Sequence, residues 1–363
     1  MVQVRLPRTR TTLQQVFEEE EMDNLHEAML YEKLDEEVVR CNLCAHRCLI
    51  KPGRRGICGV RENQGGVLYS LVYGKAVSAA VDPIEKKPLY HYLPGSDAFS
   101  IATVGCNFRC LFCQNADISQ ASKEEGRAWK RWARDLPPQA VVALAERYKC
   151  ATIAYTYTEP TVFFEYAYEC AVLAARRGIK NIFVTNGFMT LEALETIGEN
   201  LHAANVDLKS FRDEFYRELC GGRLQPVLDS IRKMHDMGVW VEVTTLLIPG
   251  HNDDEGELRE LAEWLVSVDP DIPWHVSRFV PHYKMRDVPY TPVESIHRAV
   301  EIGYQAGLHY VYVGNVPGDR YEHTRCPNCG EIAIQRYGYY IQNRMKDGNH
   351  CPKCGTELAV IVG

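Results

Sequence analysis

From Phe99 onward, short apolar segments typical of strands alternate with longer segments that have the spacing of amphipathic helices. A polar motif follows each of the first five strand segments, in the order GCNFRC, TEP, TNG, DLK and PGHND. This alternation predicts an α/β fold with a parallel sheet. Both (β/α) barrels and open doubly wound sheets bind ligands at the carboxyl ends of their strands. We therefore expect these motifs to meet over one site.

The cysteines of the chain are concentrated in three short segments. Of the fourteen cysteines, eleven fall into three groups: Cys41, Cys44, Cys48 and Cys58; then Cys106, Cys110 and Cys113; and finally Cys326, Cys329, Cys351 and Cys354. The other three, Cys150, Cys170 and Cys220, stand alone and are expected to be small buried apolar residues.

Composition and terminal sequence indicate which environment and partners to expect. The N-terminus lacks the apolar stretch of a secretion signal. The sequence also contains no run of about 18 apolar residues, which a membrane helix would need. The sequence therefore predicts a cytoplasmic protein, in which clustered thiols indicate metal ligation rather than disulfides. The formal net charge of -7 argues against a broad phosphate-binding surface, so nucleic acid is not an expected partner.

The middle cysteine group has the spacing CxxxCxxC and follows the first strand segment directly. Structural zinc sites and electron-transfer 4Fe-4S clusters usually take four protein ligands, whereas three thiolates leave one metal position open. Two other interpretations remain: a zinc site completed by a distant residue, or a chance arrangement among many cysteines. An open metal position would make this group a reaction site.

The segment GCNFRCLFCQN, with Phe112 just before the last cysteine, resembles the radical S-adenosylmethionine (SAM) superfamily. The resemblance implies that Cys106, Cys110 and Cys113 hold three irons of a 4Fe-4S cluster and that SAM chelates the fourth. It implies reductive cleavage of SAM to methionine and a 5′-deoxyadenosyl radical, which abstracts hydrogen from a substrate. It names no catalytic residue beyond the cluster ligands.

The same resemblance implies a set of SAM contacts at the strand ends. Thr158 and Glu159 belong to a TEP motif similar to the family's Gly-Gly-Glu-Pro element, in which Glu159 would receive the SAM amino group. Charge-assisted hydrogen bonds suit such a carboxylate–amine contact. The further residues assigned to SAM are Asn186, Asp207, Lys209 and Arg278.

The two flanking cysteine groups each supply four thiolates, which close a metal site. Cys41, Cys44, Cys48 and Cys58 fit either a second Fe-S cluster or zinc, with His46 as a possible alternative ligand. The two CPxCG motifs at the C-terminus have spacing that indicates zinc, and rubredoxin-like iron is the alternative. We expect the C-terminal site to be structural or to dock a partner.

A narrower resemblance covers residues 40–320 and is carried by CNLCAHRCLIKPGRRGICGVREN, DPIEKKPLYHYLPGS and SIATVGCNFRCLFCQN. These segments resemble the AmmeMemoRadiSam-system radical SAM enzymes, homologues of pyruvate formate-lyase activating enzyme. The resemblance implies AMMECR-type and Memo-type proteins as partners and a flavodoxin- or ferredoxin-like electron donor. It also implies a partial (β/α)6 TIM-type barrel with a cysteine-rich N-terminal module and a C-terminal zinc ribbon.

The predicted domain organisation has three parts. Residues 1–98 form an N-terminal helix over residues 12–39, the cysteine module and a hairpin lead-in, residues 99–320 form the barrel, and residues 321–363 form the rubredoxin-like zinc ribbon. Two alternatives to a radical SAM enzyme of unknown substrate are an activating enzyme for a glycyl radical enzyme and a non-enzymatic metal-binding scaffold.

Overall fold

The structure is a computed structural model that describes residues 25–363. In chain order the strands are β1 (His26–Glu27), β2 (Tyr31–Lys33), β3 (Val39–Cys41), β4 (Leu49–Ile50), β5 (Arg61–Gln64), β6 (Val67–Ser70), β7 (Lys75–Ala76), β8 (Ser78–Pro83), β9 (Asp97–Ala102), β10 (Arg134–Asp135), β11 (Thr152–Tyr155), β12 (Lys180–Thr185), β13 (Ala203–Asp207), β14 (Trp240–Leu247), β15 (Trp274–Arg278), β16 (Val311–Gly314), β17 (Thr324–Arg325), β18 (Ile332–Tyr337) and β19 (Tyr340–Asn343). The α-helices are α1 (Ala116–Ser119), α2 (Ala121–Glu124), α3 (Pro138–Arg147), α4 (Phe164–Ala175), α5 (Leu191–Ile197), α6 (Asp213–Phe215), α7 (Gln225–Asp236), α8 (Glu255–Val268) and α9 (Val293–Ala306).

An eight-stranded sheet forms the centre of the molecule, in the order β16-β15-β14-β13-β12-β11-β9-β8. Seven of its strands are parallel, and β8 pairs antiparallel with β9 at one edge. The predicted α/β fold with a parallel sheet is confirmed. The parallel strands outnumber the six of the predicted (β/α)6 unit, because β16 also joins the sheet beside β15.

Helices α4, α5, α7, α8 and α9 form where the apolar spacing predicts them, α3 was not predicted, and the ends of two helices have specific causes. The side chain of Asp254 caps α8 by accepting a hydrogen bond from the Glu257 backbone N–H at 3.0 Å. Helix α9 ends at Gly307, whose φ of 111° is a left-handed conformation that favours glycine. Apolar residues of these helices are buried, including Leu261 on α8 and Val300 on α9.

The helix predicted over residues 12–39 is wrong from residue 25 onward, and residues 12–24 lie outside the described part of the chain. Strands β1 to β3 and a short 3-10 turn occupy this region. Positive φ angles at Leu30 (55°) and Glu36 (56°) interrupt any helix here. This segment pairs instead with other strands of the N-terminal sheets, so tertiary contacts override the helical spacing of its apolar residues.

The N-terminal module consists of two small antiparallel sheets, β2-β3-β4 and β1-β6-β5. The short strands predicted after Cys58 are confirmed. A buried ion pair fixes the module to the central domain, since Arg61 Nη1 lies 2.7 Å from Glu165 Oε1 on α4. The same oxygen accepts the Met29 backbone N–H at 2.7 Å. Loss of either partner would leave an uncompensated buried charge.

The C-terminal segment forms the sheet β17-β18-β19 and packs against the loop that follows β8. Arg336 on β18 is fully buried, donates to the carbonyl oxygen of Tyr90 at 2.6 Å, and stacks over the ring of Tyr90. The ring of His91 lies between Ala359 and Tyr312, with hydrogen bonds to both. Within residues 25–363, no helix is long and apolar enough to cross a membrane.

Candidate active site

The CxxxCxxC loop is fixed on both sides by backbone contacts. Gly105 has a φ of 102°, and a Cβ at this position would stand 2.7 Å from Val60 Cγ1, so only glycine fits between β9 and the N-terminal module. Farther along, the Arg109 and Leu111 N–H groups donate to the carbonyl oxygens of Cys220 and Leu219 at 2.8 and 2.9 Å. The loop is therefore held against the segment that follows β13.

This loop forms one wall of a cavity of about 410 Å³ at the carboxyl ends of the parallel strands. The polar motifs after four of the five strands meet here, as the strand-end rule predicts, whereas no residue of the PGHND motif after β14 lines the cavity. The predicted site residues that line the cavity are Cys106, Cys110, Cys113, Thr158, Glu159, Asn186, Asp207 and Lys209. The structure thus brings together eight of the nine residues assigned to the cluster and SAM.

The three cysteine thiols face the cavity from a buried loop. Burial raises the pKa of Cys106 and of Cys113, while a hydrogen bond with Cys220, together with burial, raises the pKa of Cys110. Such thiols stay protonated until a metal binds and displaces the proton. Three soft sulfur donors on one wall, with the cavity open in front of them, fit a 4Fe-4S cluster with one free iron.

Cys220 lies next to Cys110 but does not complete the group as a fourth ligand facing the cavity. It is fully buried within the core and is absent from the residues lining the cavity. This position agrees with its prediction as a buried apolar residue.

Glu159 is a buried carboxylate that links the ends of β11 and β12. Its Oε1 accepts hydrogen bonds from Thr161 N at 3.0 Å, Thr161 Oγ1 at 2.6 Å and Thr185 Oγ1 at 2.7 Å. Its Oε2 accepts the Asn186 N–H at 2.8 Å. Burial raises the pKa of Glu159 in spite of these donors. Oε2 accepts one bond and keeps acceptor capacity toward the cavity.

Asn186 and Thr158 hold neighbouring parts of the cavity wall. The Asn186 amide donates to Asn107 Oδ1 at 2.7 Å and lies 3.7 Å from Cys106 Sγ. Thr158 donates to the Thr103 carbonyl oxygen at 2.9 Å, which ties the TEP motif to the end of the first parallel strand. These hydrogen bonds attach the ends of β11 and β12 to residues within or next to the cysteine loop.

Asp207 and Lys209 form an ion pair of 2.9 Å at the end of β13. Burial by itself would lower the pKa of Lys209, but the Asp207 carboxylate holds it well above its usual value. The ammonium also lies 5.8 Å from the centre of the Phe112 ring. A charged donor and a charged acceptor are thereby fixed within the cavity.

The structure places Arg278 away from the cavity wall. Its Nε donates to the Thr291 carbonyl oxygen at 2.8 Å, and its guanidinium lies over the Tyr290 ring. The neighbouring residue Ser277 lines the cavity instead. Alternation along β15 explains this outcome, since adjacent side chains point to opposite faces of a strand.

Several cavity residues were not predicted. Ser277 lies within β15 near its carboxyl end, and Asn315 directly follows β16, so both stand where the strand-end rule places ligand-binding residues. Lys86 belongs to the loop after β8, and Tyr157 directly precedes the TEP motif. Tyr339, from the turn between β18 and β19, has no local signal in the sequence.

The N-terminal cysteines surround a second, smaller cavity with apolar walls. Cys41, Cys44, Cys48 and Cys58 all line it, together with His46. The His46 ring contacts the Asn107 carbonyl oxygen at 2.9 Å, which makes it a link to the cysteine loop. Burial raises the pKa of Cys44 and Cys48, and it raises the pKa of Cys58 to about 11, so these three thiols too require a metal to ionise.

The C-terminal cysteines form a compact set. The sulfurs of Cys326, Cys329, Cys351 and Cys354 all lie within 4.8 Å of one another. Two sulfur pairs, Cys326 with Cys354 and Cys329 with Cys351, are 3.6 Å apart. This spacing suits a single tetrahedral ion such as zinc, because Zn–S bonds are about 2.3 Å long.

Comparison with known proteins identifies the family. Residues 100–265 match the model of the radical SAM superfamily. An uncharacterised protein of Methanocaldococcus jannaschii is 43% identical over 341 residues, which cover 93% of this chain and 100% of that protein.

Two further relatives carry functional names. A GTP 3′,8-cyclase of Listeria monocytogenes is 27% identical, with 59% of this chain and 63% of that enzyme aligned. A putative glycyl-radical enzyme activating enzyme of M. jannaschii is 24% identical, with 63% of this chain and 83% of that protein aligned. Together with the cysteine loop at the carboxyl end of the sheet, these matches establish that the chain belongs to the radical SAM superfamily and is a radical SAM enzyme.

Proposed function

We propose that Cys106, Cys110 and Cys113 bind three irons of a 4Fe-4S cluster and that SAM occupies the fourth. The observation that carries this proposal is the placement of the three thiols on one wall of the cavity, with Cys220 turned into the core. When bound and reduced, this group would supply the one electron that reductive cleavage of SAM to methionine and a 5′-deoxyadenosyl radical requires, and that radical would remove a hydrogen atom from the substrate.

The residues around the loop bind and orient SAM. The free acceptor capacity of Glu159 Oε2 and the Asp207 carboxylate suit the N–H donors of the amino group of the SAM methionine moiety. Lys209, held in its charged form, suits the carboxylate of that moiety. Asn186 fixes the position of Cys106 through Asn107. We assign no SAM contact to Arg278, whose guanidinium is engaged outside the cavity.

The fold around this site is a partial (β/α) barrel over residues 99–320, preceded by the cysteine-rich module of residues 1–98 and followed by a zinc ribbon over residues 321–363. Zinc on the four C-terminal thiolates stabilises the ribbon. The N-terminal cysteines hold either an Fe-S cluster or zinc. The proposed partners are a flavodoxin- or ferredoxin-like electron donor and AMMECR-type or Memo-type proteins.

The substrate enters the part of the cavity that lies beyond the SAM-binding residues. Lys86, Tyr157 and Tyr339 line the cavity and are not among the residues assigned to SAM, so we assign them to the substrate. We favour a small molecule, or a macromolecule other than a glycyl radical enzyme, because the additional cysteine group precedes the CxxxCxxC motif. Activating enzymes with extra clusters usually insert them after it.

Activation of a glycyl radical enzyme is the second candidate, because one relative bears that name. Incubation of the reduced enzyme and SAM with a candidate glycyl radical enzyme tests it. A glycyl signal in the EPR spectrum would support activation, and its absence despite active SAM cleavage would reject it. A non-enzymatic scaffold is not retained, since the chain is a radical SAM enzyme.

SAM cleavage tests the assignment of the cluster ligands. The enzyme is reconstituted anaerobically with iron and sulfide, reduced with dithionite and incubated with SAM, and 5′-deoxyadenosine is measured. We expect product from the wild type and from Cys220→Ala, and none from the variant with alanine at Cys106, Cys110 and Cys113. An intact cluster in the wild type that yields no 5′-deoxyadenosine would overturn the proposal.

A further inference from the structure

The N-terminal cysteine site and the catalytic cavity share a thin wall. Glu159 faces the catalytic cavity, whereas Thr161 and Val162 line the cavity between the N-terminal cysteines. Thr161 donates from both its backbone N and its Oγ1 to the Glu159 carboxylate. One turn of chain therefore separates the two sites.

Two short routes connect the ligands of the two sites. His46, two residues after Cys44, contacts the carbonyl oxygen of Asn107 at 2.9 Å, and Asn107 directly follows Cys106. The Cys58 carbonyl oxygen lies 3.3 Å from the position of a Cβ on Gly105, which directly precedes Cys106. The first route needs one non-covalent contact, and in the second the Cys58 carbonyl oxygen lies beside Gly105, so the loops that carry the two cysteine groups are adjacent.

The spacing of the sulfurs distinguishes the N-terminal group from the ribbon. The four sulfurs of the C-terminal cysteines all lie within 4.8 Å of one another. Among residues 25–363, the sulfurs of the N-terminal group and of the CxxxCxxC group are not gathered this closely. A single zinc ion draws four sulfurs together, whereas each thiolate of a 4Fe-4S cluster binds a different iron. The N-terminal sulfurs surround a cavity, as a cluster requires.

A four-thiolate cluster has no free iron for a substrate. Cys41, Cys44, Cys48 and Cys58 would occupy every corner, so the chemistry left to the cluster is electron transfer. Because this site lies beside the CxxxCxxC loop, the cluster at Cys106, Cys110 and Cys113 would be the electron acceptor.

The surface over this site is basic and apolar. Residues 47–57, here called the basic lip, contain four basic residues and no acidic residue. Arg47 and Arg55 form ion pairs with Glu192 and Glu62, so the excess positive charge of the lip comes from Lys51 and Arg54. Leu49 and Ile57 are 63% and 53% exposed on either side of them. Cys48, a ligand of the site, lies within this segment. In a chain with a net charge of -7, this local excess of positive charge is complementary to an acidic protein.

We propose that the N-terminal cysteines hold a second 4Fe-4S cluster and that the basic lip docks an acidic one-electron carrier protein, which reduces this cluster. The inference rests on the proposed function, because the electron then passes to the cluster held by Cys106, Cys110 and Cys113. One electron leaves the reduced carrier, which is oxidised by one electron, and one electron arrives at the catalytic cluster. No bond forms or breaks, and no proton moves.

Metal analysis tests the identity of the second site. The variant with alanine at Cys106, Cys110 and Cys113 is reconstituted anaerobically, and iron, sulfide and zinc are counted. We expect about four irons and four sulfides per chain, the number in one 4Fe-4S cluster, in addition to the ribbon zinc. We also expect a cluster EPR signal after reduction. Zinc in place of iron at the N-terminal group would overturn the inference.

Charge reversal on the surface tests the docking role without touching a metal ligand. Stopped-flow absorbance follows reduction of the reconstituted enzyme by flavodoxin hydroquinone, for the wild type, Lys51→Glu with Arg54→Glu, and the control pair Arg232→Glu with Arg259→Glu. The control residues are exposed on α7 and α8. We expect the lip variant to be reduced about tenfold more slowly at low salt, with high salt narrowing the difference. Equal rates for the two double variants would contradict the docking role.

Dithionite separates failure of this inference from failure of the proposed function. A small reductant does not need the basic lip, so the lip variant should form 5′-deoxyadenosine with dithionite at the wild-type rate. A wild type that cleaves no SAM with dithionite refutes the proposed function. Normal cleavage with dithionite, combined with flavodoxin reduction that is insensitive to the lip substitutions, refutes only the docking role.

Discussion

At the scale of single residues, the Glu159 carboxylate couples two parts of the cavity wall. It joins the start of its own helical turn to Thr185 and Asn186 at the end of β12. Every donor around it is buried, so no water could take the place of the carboxylate as their acceptor. This residue therefore holds the catalytic loops in register as well as facing SAM.

We predict that Glu159→Gln destabilises the protein by about 1–3 kcal/mol, because the amide nitrogen would face an N–H or O–H donor that now meets an acceptor. We also expect weaker SAM binding. The thermal midpoint and SAM titration of the reconstituted protein measure the two effects. The control is Glu146→Gln, which removes an exposed ion pair with Arg177 and should cost about 0–1 kcal/mol. Equal midpoints for the two variants would contradict this account of Glu159.

The sequence is informative about residues wherever a strand-end motif carries them. Asn186, Asp207 and Lys209 reach the cavity as predicted, because the carboxyl ends of parallel strands meet on one side of a sheet. Tyr339 could not be predicted, since its place depends on how the ribbon packs against the barrel. The prediction that Arg278 contacts SAM is wrong for a local reason. Arg278 follows the cavity residue Ser277, but its side chain points to the other face of the strand.

At the scale of secondary-structure elements, the cysteine loop depends on the turn that follows α6. Residues Tyr216–Cys220 form a π-helical turn, and Gly222 comes directly beneath Phe108 of the cysteine loop. A Cβ on Gly222 would stand 2.3 Å from Phe108 Cε1. The aromatic ring would have to move, and the loop that carries Cys106 and Cys110 would move with it.

We predict that Gly222→Ala lowers the iron bound per chain and the yield of 5′-deoxyadenosine. The matched control is Gly178→Ala, at a position with a φ of 73° and no atom within 4 Å of the added Cβ. That substitution should cost about 1 kcal/mol in backbone strain and leave iron binding intact. Iron analysis and thermal midpoints of both variants measure the two effects. Full iron content in Gly222→Ala would show that the loop tolerates the displacement.

Elements with long apolar periodicity could be predicted, and elements fixed by tertiary contacts could not. The parallel strands and helices α4, α5, α7, α8 and α9 follow from their spacing, whereas α3 was not predicted. The region around Leu30 has helical spacing, but Met29 and Arg61 are drawn to the buried Glu165 carboxylate, and strands form instead. No local pattern in the sequence reveals that remote partner.

At the scale of the whole molecule, His91 connects the central domain to the C-terminal ribbon. Its ring bonds to the Ala359 carbonyl oxygen and to the Tyr312 hydroxyl, and it is completely buried. Burial lowers the pKa of His91 to about 4, although the nearby Glu242 carboxylate acts in the opposite direction. The folded protein therefore keeps this ring neutral at pH values where the unfolded chain binds a proton.

We predict that acidification from about pH 6.5 to about pH 4 destabilises the fold through this residue, by at most about 1.4 kcal/mol per pH unit. The sign follows because the unfolded chain, with a histidine pKa near 6.5, binds more protons than the folded state in this range. Thermal midpoints measured between pH 7.5 and pH 5 should fall less steeply for His91→Gln than for the wild type.

The control for this pH dependence is Tyr312→Phe, which removes a hydrogen-bond partner of His91 and keeps the titrating ring. It should lower the thermal midpoint at pH 7.5 and retain the pH slope. A slope in His91→Gln as steep as that of the wild type would show that other groups cause the acid sensitivity.

The central claim is that three thiolates leave one iron free for SAM, and electron–nuclear double resonance tests it directly. The reduced wild-type enzyme is mixed with SAM that carries ¹⁵N in its amino group, and the spectrum of the catalytic cluster is recorded. A ¹⁵N coupling to the cluster spin, absent when Cys106, Cys110 and Cys113 are replaced by alanine, is the predicted result. A cluster that binds no SAM nitrogen, with all four irons held by protein ligands, would contradict the account.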